Sequence, residues 1–201
     1  MDVMSGDEYV DFGEIWKAGS IEWIRQHKQT GWWTPYYVNF MFEAFQGPEQ
    51  TVTAEMHRAL YRFYGRFSTR FDRDAKSDRA KAHIPRFWLF PDKPAYKGRR
   101  NTPVREIKIN ANGKHFNGFM LLPLTSYFKG DPIRYLRDNS FYGIQGIDIK
   151  KVYDEVGISS YALKTIRWGG ANESDILILP RPASELSTKG RPKFQGTSSE
   201  N

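Results

Sequence analysis

The stretch that decides the fold is Gly113-Lys114-His115-Phe116-Asn117-Gly118-Phe119-Met120-Leu121-Leu122-Pro123, where polar and apolar residues alternate before an apolar run. Alternation predicts a β-strand, because successive side chains of a strand point to opposite faces of the sheet. His115 and Asn117 are two residues apart, so both side chains leave the same face. The hydrophobic residues after Gly118 predict that the strand continues into a buried core.

The pair formed by His115 and Asn117 has two interpretations. An imidazole and an amide side by side on a sheet can present one divalent cation to a phosphate group. Alternatively, His115 is a surface residue at the mouth of a β-hairpin, since the preceding Asn112-Gly113 is a strong hairpin signal. Taken alone, the stretch favours the hairpin interpretation, and the rest of the chain shifts the balance.

The composition indicates one domain that binds a polyanion. The chain has 201 residues, 39% of them hydrophobic and 15% aromatic, enough for a core rich in rings. Its net charge of +7 indicates nucleic acid as the simplest partner, and rings among arginines can stack on unpaired bases. The lack of cysteine excludes disulfides, thiolate zinc sites and cysteine nucleophiles. The chain has no apolar run of about eighteen residues and no secretory pattern, so we predict a cytoplasmic protein without a membrane segment.

The hydrophobic patterns predict an α+β fold: a central antiparallel sheet with flanking helices. Besides the strand at His115, strands are predicted at residues 36–42, 84–90, 104–110 and 176–179. Helical segments are predicted at 14–29 with a break near Gly19, at 53–71, in the first part of 131–147, which ends as a loop, and at 147–168 with a loosening at Gly157. We divide the chain into an N-terminal helical extension at 1–30, one domain at 31–186 and a disordered tail at 187–201.

Two groups of basic residues are candidates for nucleic-acid binding. Arginines recur at every fourth position of the helix predicted at 53–71, so they form a stripe beside its apolar face. These residues are Arg58, Arg62, Arg66 and Arg70. Four arginines in register repel one another unless an anion lies among them, and the alternative is a solvated face near Asp72 and Asp74. The second group comprises Lys97, Arg99 and Arg100.

Tyr161 and Lys164 are three residues apart in a segment with a helical pattern. At 100° per residue their side chains are about 60° apart, on one face of the helix. An ammonium group beside a tyrosine can stabilise a phenolate or the phosphate that the phenolate attacks. The motif is common by chance, because the chain has 11 tyrosines.

The order of these motifs resembles that of the HUH endonucleases, the rolling-circle replication initiators of small plasmids and phages, with the relaxases as relatives. The resemblance covers about residues 36–168. The apolar strand of that family is matched by residues 37–42, and its two metal-binding histidines around a hydrophobe by His115-Phe116-Asn117. Its helix with a nucleophilic tyrosine and a lysine is matched by Tyr161 and Lys164.

The resemblance implies metal-dependent nicking and joining of single-stranded DNA or a DNA hairpin. Tyr161 would form a 5′-phosphotyrosine, a covalent protein–DNA linkage, with Lys164 stabilising the tyrosinate. The implied metal is Mg²⁺ or Mn²⁺ on His115, Asn117 and an acidic residue of a neighbouring strand, with Asp92 the first choice and Glu106 the second. Asn117 stands where the family usually has histidine, and an amide oxygen is an acceptable ligand for these hard ions.

The released 3′-hydroxyl would begin rolling-circle replication or mobilisation of a plasmid or phage, with a host polymerase extending it. A host helicase is also implied, because the chain has no helicase motif. The alternative function is a non-catalytic nucleic-acid-binding domain on the same fold, with the same arginines and aromatic residues but without the tyrosine chemistry.

Overall fold

The computed structural model describes residues 12–92, 113–124, 127–167 and 173–181. Ten helices and strands follow one another in these ranges, with short 3₁₀ turns at Arg79–Ala82 and Glu173–Asp175. In chain order they are α1 (Phe12–Gln29), β1 (Trp33–Phe42), α2 (Glu49–Ser68), β2 (Arg86–Asp92), β3 (His115–Pro123), α3 (Pro132–Asp138), β4 (Ile144–Lys151), α4 (Glu155–Ala162), α5 (Lys164–Arg167) and β5 (Leu177–Leu179).

The strands form one sheet in the order β4-β1-β3-β2-β5, and every neighbouring pair is antiparallel. The stretch around His115 is the central strand, β3, as its apolar run predicts. On one side of it Trp33 lies opposite Pro123 and Met41 opposite His115. On the other side Asp92 lies opposite His115. The predicted α+β class, an antiparallel sheet with flanking helices, is confirmed.

One face of the sheet is covered by α2 and α3 and is packed with rings. The apolar side of α2 buries Met56, Leu60, Phe63 and Phe67 against residues of β1, β2 and β3. The ring of Phe63 lies 5.0 Å from that of Phe40 and 4.9 Å from that of Phe141, both edge to face. Such pairs stabilise a core beyond the area that they bury, by about 1 kcal/mol each.

The other face is covered by α1, α4 and α5 through a second hydrophobic cluster that includes Ile24, Trp88, Phe119 and Leu163. The helix α1 is continuous, so the predicted break near Gly19 is wrong. A Cβ atom at Gly19 would lie 3.5 Å from the Trp88 ring, which shows how closely the helix backbone approaches the sheet. Packing on the sheet outweighs the low helix propensity of glycine.

The prediction of a helical segment over residues 147–168 is wrong in its first part. Residues 144–151 form β4, an edge strand whose alternating Ile147 and Ile149 lie on the first face. The helix α4 begins only at Glu155 and continues through Gly157, where the sequence predicted a loosening. The helical segment is interrupted at Leu163 instead. The strand predicted at 104–110 and the tail at 187–201 lie outside the described residues.

Gly118 lets the backbones of β2 and β3 approach each other in the centre of the sheet. Its φ is +156°, and a Cβ atom there would lie 2.1 Å from the carbonyl oxygen of Trp88. A side chain of any size would force the two strands apart. Of the helices in the described ranges, none is long and apolar enough to cross a membrane.

Candidate active site

The second face of the sheet changes from apolar to polar along its strands. Trp88 and Phe119 lie beneath α1, while Asp92, His115 and Asn117 lie towards the opposite end of the same strands. The backbone register places His115 directly opposite Asp92 and Asn117 directly opposite Asn39 of β1. Three neighbouring strands therefore contribute polar side chains to one patch, because alternate residues of paired strands share a face.

Asp92 is the centre of this patch and is almost completely buried. Its Oδ2 atom accepts hydrogen bonds from Asn117 Nδ2 at 2.9 Å and from His115 Nε2 at 3.0 Å. Lys164 Nζ lies 2.8 Å from the same oxygen, and Thr165 Oγ1 donates to Oδ1. A buried carboxylate is costly unless such donors compensate its charge, so this contact set explains how Asp92 is tolerated in the core.

These contacts shift the ionisation of both partners of the ion pair. Burial alone would raise the pKa of Asp92, but hydrogen bonds from His115, Lys164 and Thr165 outweigh it and hold the pKa below its ordinary value. Burial alone would lower the pKa of Lys164, but the hydrogen bond and charge of Asp92 outweigh it and raise the pKa. Both groups are therefore charged over the neutral pH range.

His115 is held at both ring nitrogens. Its Nε2 atom contacts Asp92, and its Nδ1 atom lies 3.1 Å from the carbonyl oxygen of Gly113. Both neighbours are oxygen acceptors, so the two contacts together fix the orientation of the ring. The side chain keeps a partly exposed edge, whereas Asp92 beneath it is closed off.

Tyr161 lies beside this cluster, and Lys164 joins the two. The ammonium group of Lys164 lies 4.4 Å from the centre of the Tyr161 ring while it contacts Asp92. The Tyr161 side chain is 52% exposed, and its ring meets that of Tyr37 edge to face at 6.0 Å. The helix is interrupted at Leu163, between the two residues. Their side chains nevertheless lie on the same side, as their spacing predicts. An accessible phenol and a fixed cation thus stand next to a polar sheet end.

The N-terminal end of α4 is fixed by its cap and by an ion pair to α1. The Asp154 carboxylate accepts hydrogen bonds from the backbone N–H groups of Val156 and Gly157 at 3.1 and 3.0 Å. Glu155 forms an ion pair with Lys28 of α1. A capping aspartate of this kind stabilises a helix by about 1 kcal/mol, so the position of Tyr161 rests on ordinary helix chemistry.

The donor set fits a hard divalent cation through its amide oxygens. Asn117 Oδ1 and Asn39 Oδ1 are buried and have no hydrogen-bond partner among the residues that the structure describes, although both belong to the polar patch. Amide and carboxylate oxygens are the ligands that Mg²⁺ and Mn²⁺ prefer. Within the described ranges no three His, Cys, Asp or Glu side chains form a metal-binding group. The Lys164 ammonium also holds the oxygen of Asp92 that a cation would take.

The structure brings together five of the residues that the sequence singled out: His115, Asn117, Asp92, Tyr161 and Lys164. Of the two candidate acids, Asp92 is the one in contact with His115, while Glu106 lies outside the described residues. Lys97, Arg99 and Arg100 also lie outside them.

The arginine stripe lies away from this cluster, on the α2 side of the sheet. Most of its guanidinium groups lie over aromatic rings. Arg58 forms an ion pair with Glu55. The other three guanidinium groups lie over aromatic rings: Arg62 over Tyr142 at 4.6 Å, Arg66 over Phe141 at 5.5 Å and Arg70 over Tyr135 at 5.2 Å. Cation–π contacts hold these side chains in place without an anion.

Sequence reasoning missed three members of the cluster: Thr165, Asn39 and Tyr37. Thr165 and Asn39 had a weak signal, since one directly follows Lys164 and the other is a polar residue inside an apolar strand. The role of Tyr37 had none, because its contact with Tyr161 joins positions far apart in the chain. Burial and the neighbouring phenol and carboxylates raise the pKa of Tyr37, which keeps it neutral.

No protein-family model, curated protein or solved structure matches this chain.

Proposed function

We propose that this protein nicks and joins single-stranded DNA in a metal-dependent reaction, with Tyr161 as the nucleophile. The observation that carries the proposal is the position of Lys164, whose ammonium group contacts the Asp92 carboxylate and lies against the Tyr161 ring. This contact places an accessible phenol next to His115 and Asn117 on the central strand. A nucleophile, a cation and candidate metal ligands thereby lie together at one polar end of the sheet.

The reaction is an exchange of phosphate esters. The Tyr161 phenol oxygen attacks a backbone phosphorus atom, so an O–P bond to tyrosine forms and the bond from phosphorus to the 3′ oxygen breaks. The phenol loses its proton to water, and the departing 3′ oxygen takes one up. The number of phosphodiester bonds is unchanged, so the step needs no external energy source, and the reverse attack rejoins the strand.

The residues of the cluster have separate tasks in this scheme. Lys164 stabilises the developing tyrosinate and the phosphate charge, and Asp92 holds Lys164 in place. His115 orients the phosphate from the edge of the sheet that remains partly exposed. When bound on His115, Asn117 and Asp92, Mg²⁺ or Mn²⁺ would polarise the phosphate. Thr165 fixes the carboxylate from its second oxygen.

The proposed substrate is a single strand or a hairpin of a plasmid or phage, and the proposed outcome is rolling-circle replication or mobilisation in the cytoplasm. The net charge of +7 supports a polyanionic substrate. The 3′-hydroxyl would be extended by a host polymerase, with a host helicase to open the duplex.

A second candidate is a nucleic-acid-binding domain without catalysis. Asp92 favours it, because its Oδ2 already accepts from three groups and its Oδ1 from Thr165. A carboxylate so fully engaged can serve as a purely structural centre. The two candidates differ in whether Tyr161 ever becomes covalently attached to DNA.

The test is a denaturing gel of the full chain mixed with labelled single-stranded hairpins from its own genomic neighbourhood, in Mn²⁺ and in a chelator. The proposal expects a band that survives denaturant, requires Mn²⁺ and disappears in Tyr161→Phe. Tyr153→Phe is the matched control, because Tyr153 is also exposed and lies just before α4. An adduct that persists in Tyr161→Phe would refute the proposal, and tight native binding without any adduct would establish the second candidate.

A further inference from the structure

A cavity of about 590 Å³ lies at the C-terminal end of α2, away from the polar cluster. It lies between the residues that follow α2 and the segment before α3. Its lining includes Arg70, Arg73, Lys129 and Tyr127, together with Asp72. This volume falls within the range of pockets that bind small molecules and cofactors.

Positive charge dominates the cavity. Among the described residues of the lining, Arg70, Arg73 and Lys129 supply three cations and Asp72 supplies one carboxylate. The Asp72 carboxylate is largely buried and accepts a hydrogen bond from the backbone N–H group of Asp74 at 2.9 Å, so it serves the local turn. In the ranges that the structure describes, none of the three cations forms an ion pair with a carboxylate. Cations left in excess around a concave surface attract phosphate groups.

An exposed ring completes the lining. The Tyr127 side chain is 78% exposed, but the next residue, Phe128, is anchored against Phe71 at 4.9 Å and Tyr135 at 5.5 Å. The anchor holds Tyr127 and Lys129 at the rim of the cavity, one on each side of Phe128. A ring beside several cations matches a nucleotide, whose base stacks while its phosphate pairs with the cations.

We propose that this cavity is a second nucleic-acid site, which holds a nucleotide of a single strand with its base on Tyr127 and its phosphates on Arg70, Arg73 and Lys129. The assignment rests on the proposed function in one respect, since it takes the same strand as ligand. The proposed site includes residues outside the arginine stripe, and it provides a ring on which a base can stack.

The cavity is well separated from Tyr161. The helix α2 has 20 residues, about 30 Å at 1.5 Å per residue. Its first residue, Glu49, pairs with Lys114 beside His115 at 2.6 Å, whereas the cavity lies beyond its last residue. At the 3.4 Å per nucleotide of a strand in duplex DNA, about nine nucleotides span that distance, and a more extended single strand needs fewer. One strand bound at both sites would therefore be held at two points along its length.

The test measures fluorescence anisotropy of a labelled oligodeoxythymidylate of roughly 20 nucleotides in chelator, so that no cleavage intervenes. We expect Tyr127→Leu to weaken binding about tenfold without changing its salt dependence, because stacking involves no counterion release. Arg73→Ala with Lys129→Ala should also weaken binding about tenfold and reduce the slope of log affinity against log salt by about 1.4. Lys76→Ala is the control, an exposed lysine near Arg73 that does not line the cavity.

Three outcomes would overturn the assignment. Unchanged affinity in Tyr127→Leu would show that no base stacks there. An equal loss in Lys76→Ala would show that general charge, and not the cavity, binds the strand. Inorganic phosphate competing as well as thymidine monophosphate would show a site for anions only. The covalent adduct on Tyr161 is measured separately, so failure of the cavity and failure of the nicking reaction are distinguishable.

Discussion

Along β3, the face beneath α2 presents Phe116, Met120 and Leu122, whereas the opposite face presents His115 and Asn117 before it becomes apolar at Phe119. The first face buries only hydrophobic groups at these positions and contributes stability through packing. The second face surrounds a buried carboxylate with four donors, an arrangement that costs desolvation and returns little net stability. The two faces therefore call for separate tests.

The largest expected effect is on the first face. Phe63→Ala should lower the free energy of unfolding by about 4 kcal/mol, because the Phe63 ring is buried against several others. Urea denaturation measures this loss, and Phe63→Leu, which refills most of the volume, should lose about 1 kcal/mol. A loss below about 1 kcal/mol in Phe63→Ala would contradict the view that this face carries the stability.

The second effect tests the carboxylate. Asp92→Ala should lower the free energy of unfolding by about 3 kcal/mol, because Lys164, Asn117 and Thr165 lose their shared partner. Adding Lys164→Met should cost less than the sum of the single changes, with a coupling of about 1.5 kcal/mol. Strictly additive losses in this double-mutant cycle would show that the ion pair is energetically irrelevant.

Lowering the pH should separate the contributions of His27 and Asp92 to the free energy of unfolding. Burial lowers the pKa of His27. The hydrogen bond with the Trp23 carbonyl opposes this shift, and the charge of Arg86 adds to it, so the folded state favours the neutral ring. The unfolded chain therefore takes up a proton first, and stability should fall as pH drops below about 6.5. The contribution of Asp92, whose pKa is lowered, should persist until pH falls below its ordinary value of 3.8. Denaturation curves across pH measure both windows. His27→Gln should reduce the first loss and leave the part due to His57, whose pKa is also lowered by burial, while the Asp92 window stays unchanged.

The smallest effect concerns the arginine stripe. Arg66→Ala should lower the free energy of unfolding by about 0.5 kcal/mol, since its guanidinium group lies over Phe141 at an exposed site. If the stripe also binds DNA, as the sequence predicts, the variant should bind a single strand a few times more weakly, with a salt slope smaller by about 0.7. Unchanged DNA affinity in Arg66→Ala would restrict this arginine to packing.

Local pattern was enough to predict much of the fold. The alternation at His115 gave the central strand, and the apolar spacing of α2 gave the helix on the first face, with its limits displaced by a few residues. The edge strand β4 was missed because Ile144, Ile147 and Ile149 are compatible with a helix as well as a strand over so short a run. Pairing with β1, which decides between the two, is not a local property.

The cluster was predicted in part for a similar reason. His115 and Asn117 are neighbours in the chain, and so are Lys164 and Thr165, so each pair could be found locally. The contact of Lys164 with Asp92 joins residues more than 70 positions apart, and no spacing rule predicts it. The resemblance in motif order implied that these residues lie close together. In the structure they are joined by their contacts with Asp92.

The close approach of β2 and β3 at Gly118 has a consequence for design. The two backbones meet where no side chain fits, at the pair of Leu89 and Gly118, and this close approach does not involve the side chains of the cluster. The distance between positions 92 and 115 would then survive exchange of the side chains that they carry. Histidine in place of Asn117, or a different acid in place of Asp92, could therefore be introduced without changing the backbone geometry of the sheet.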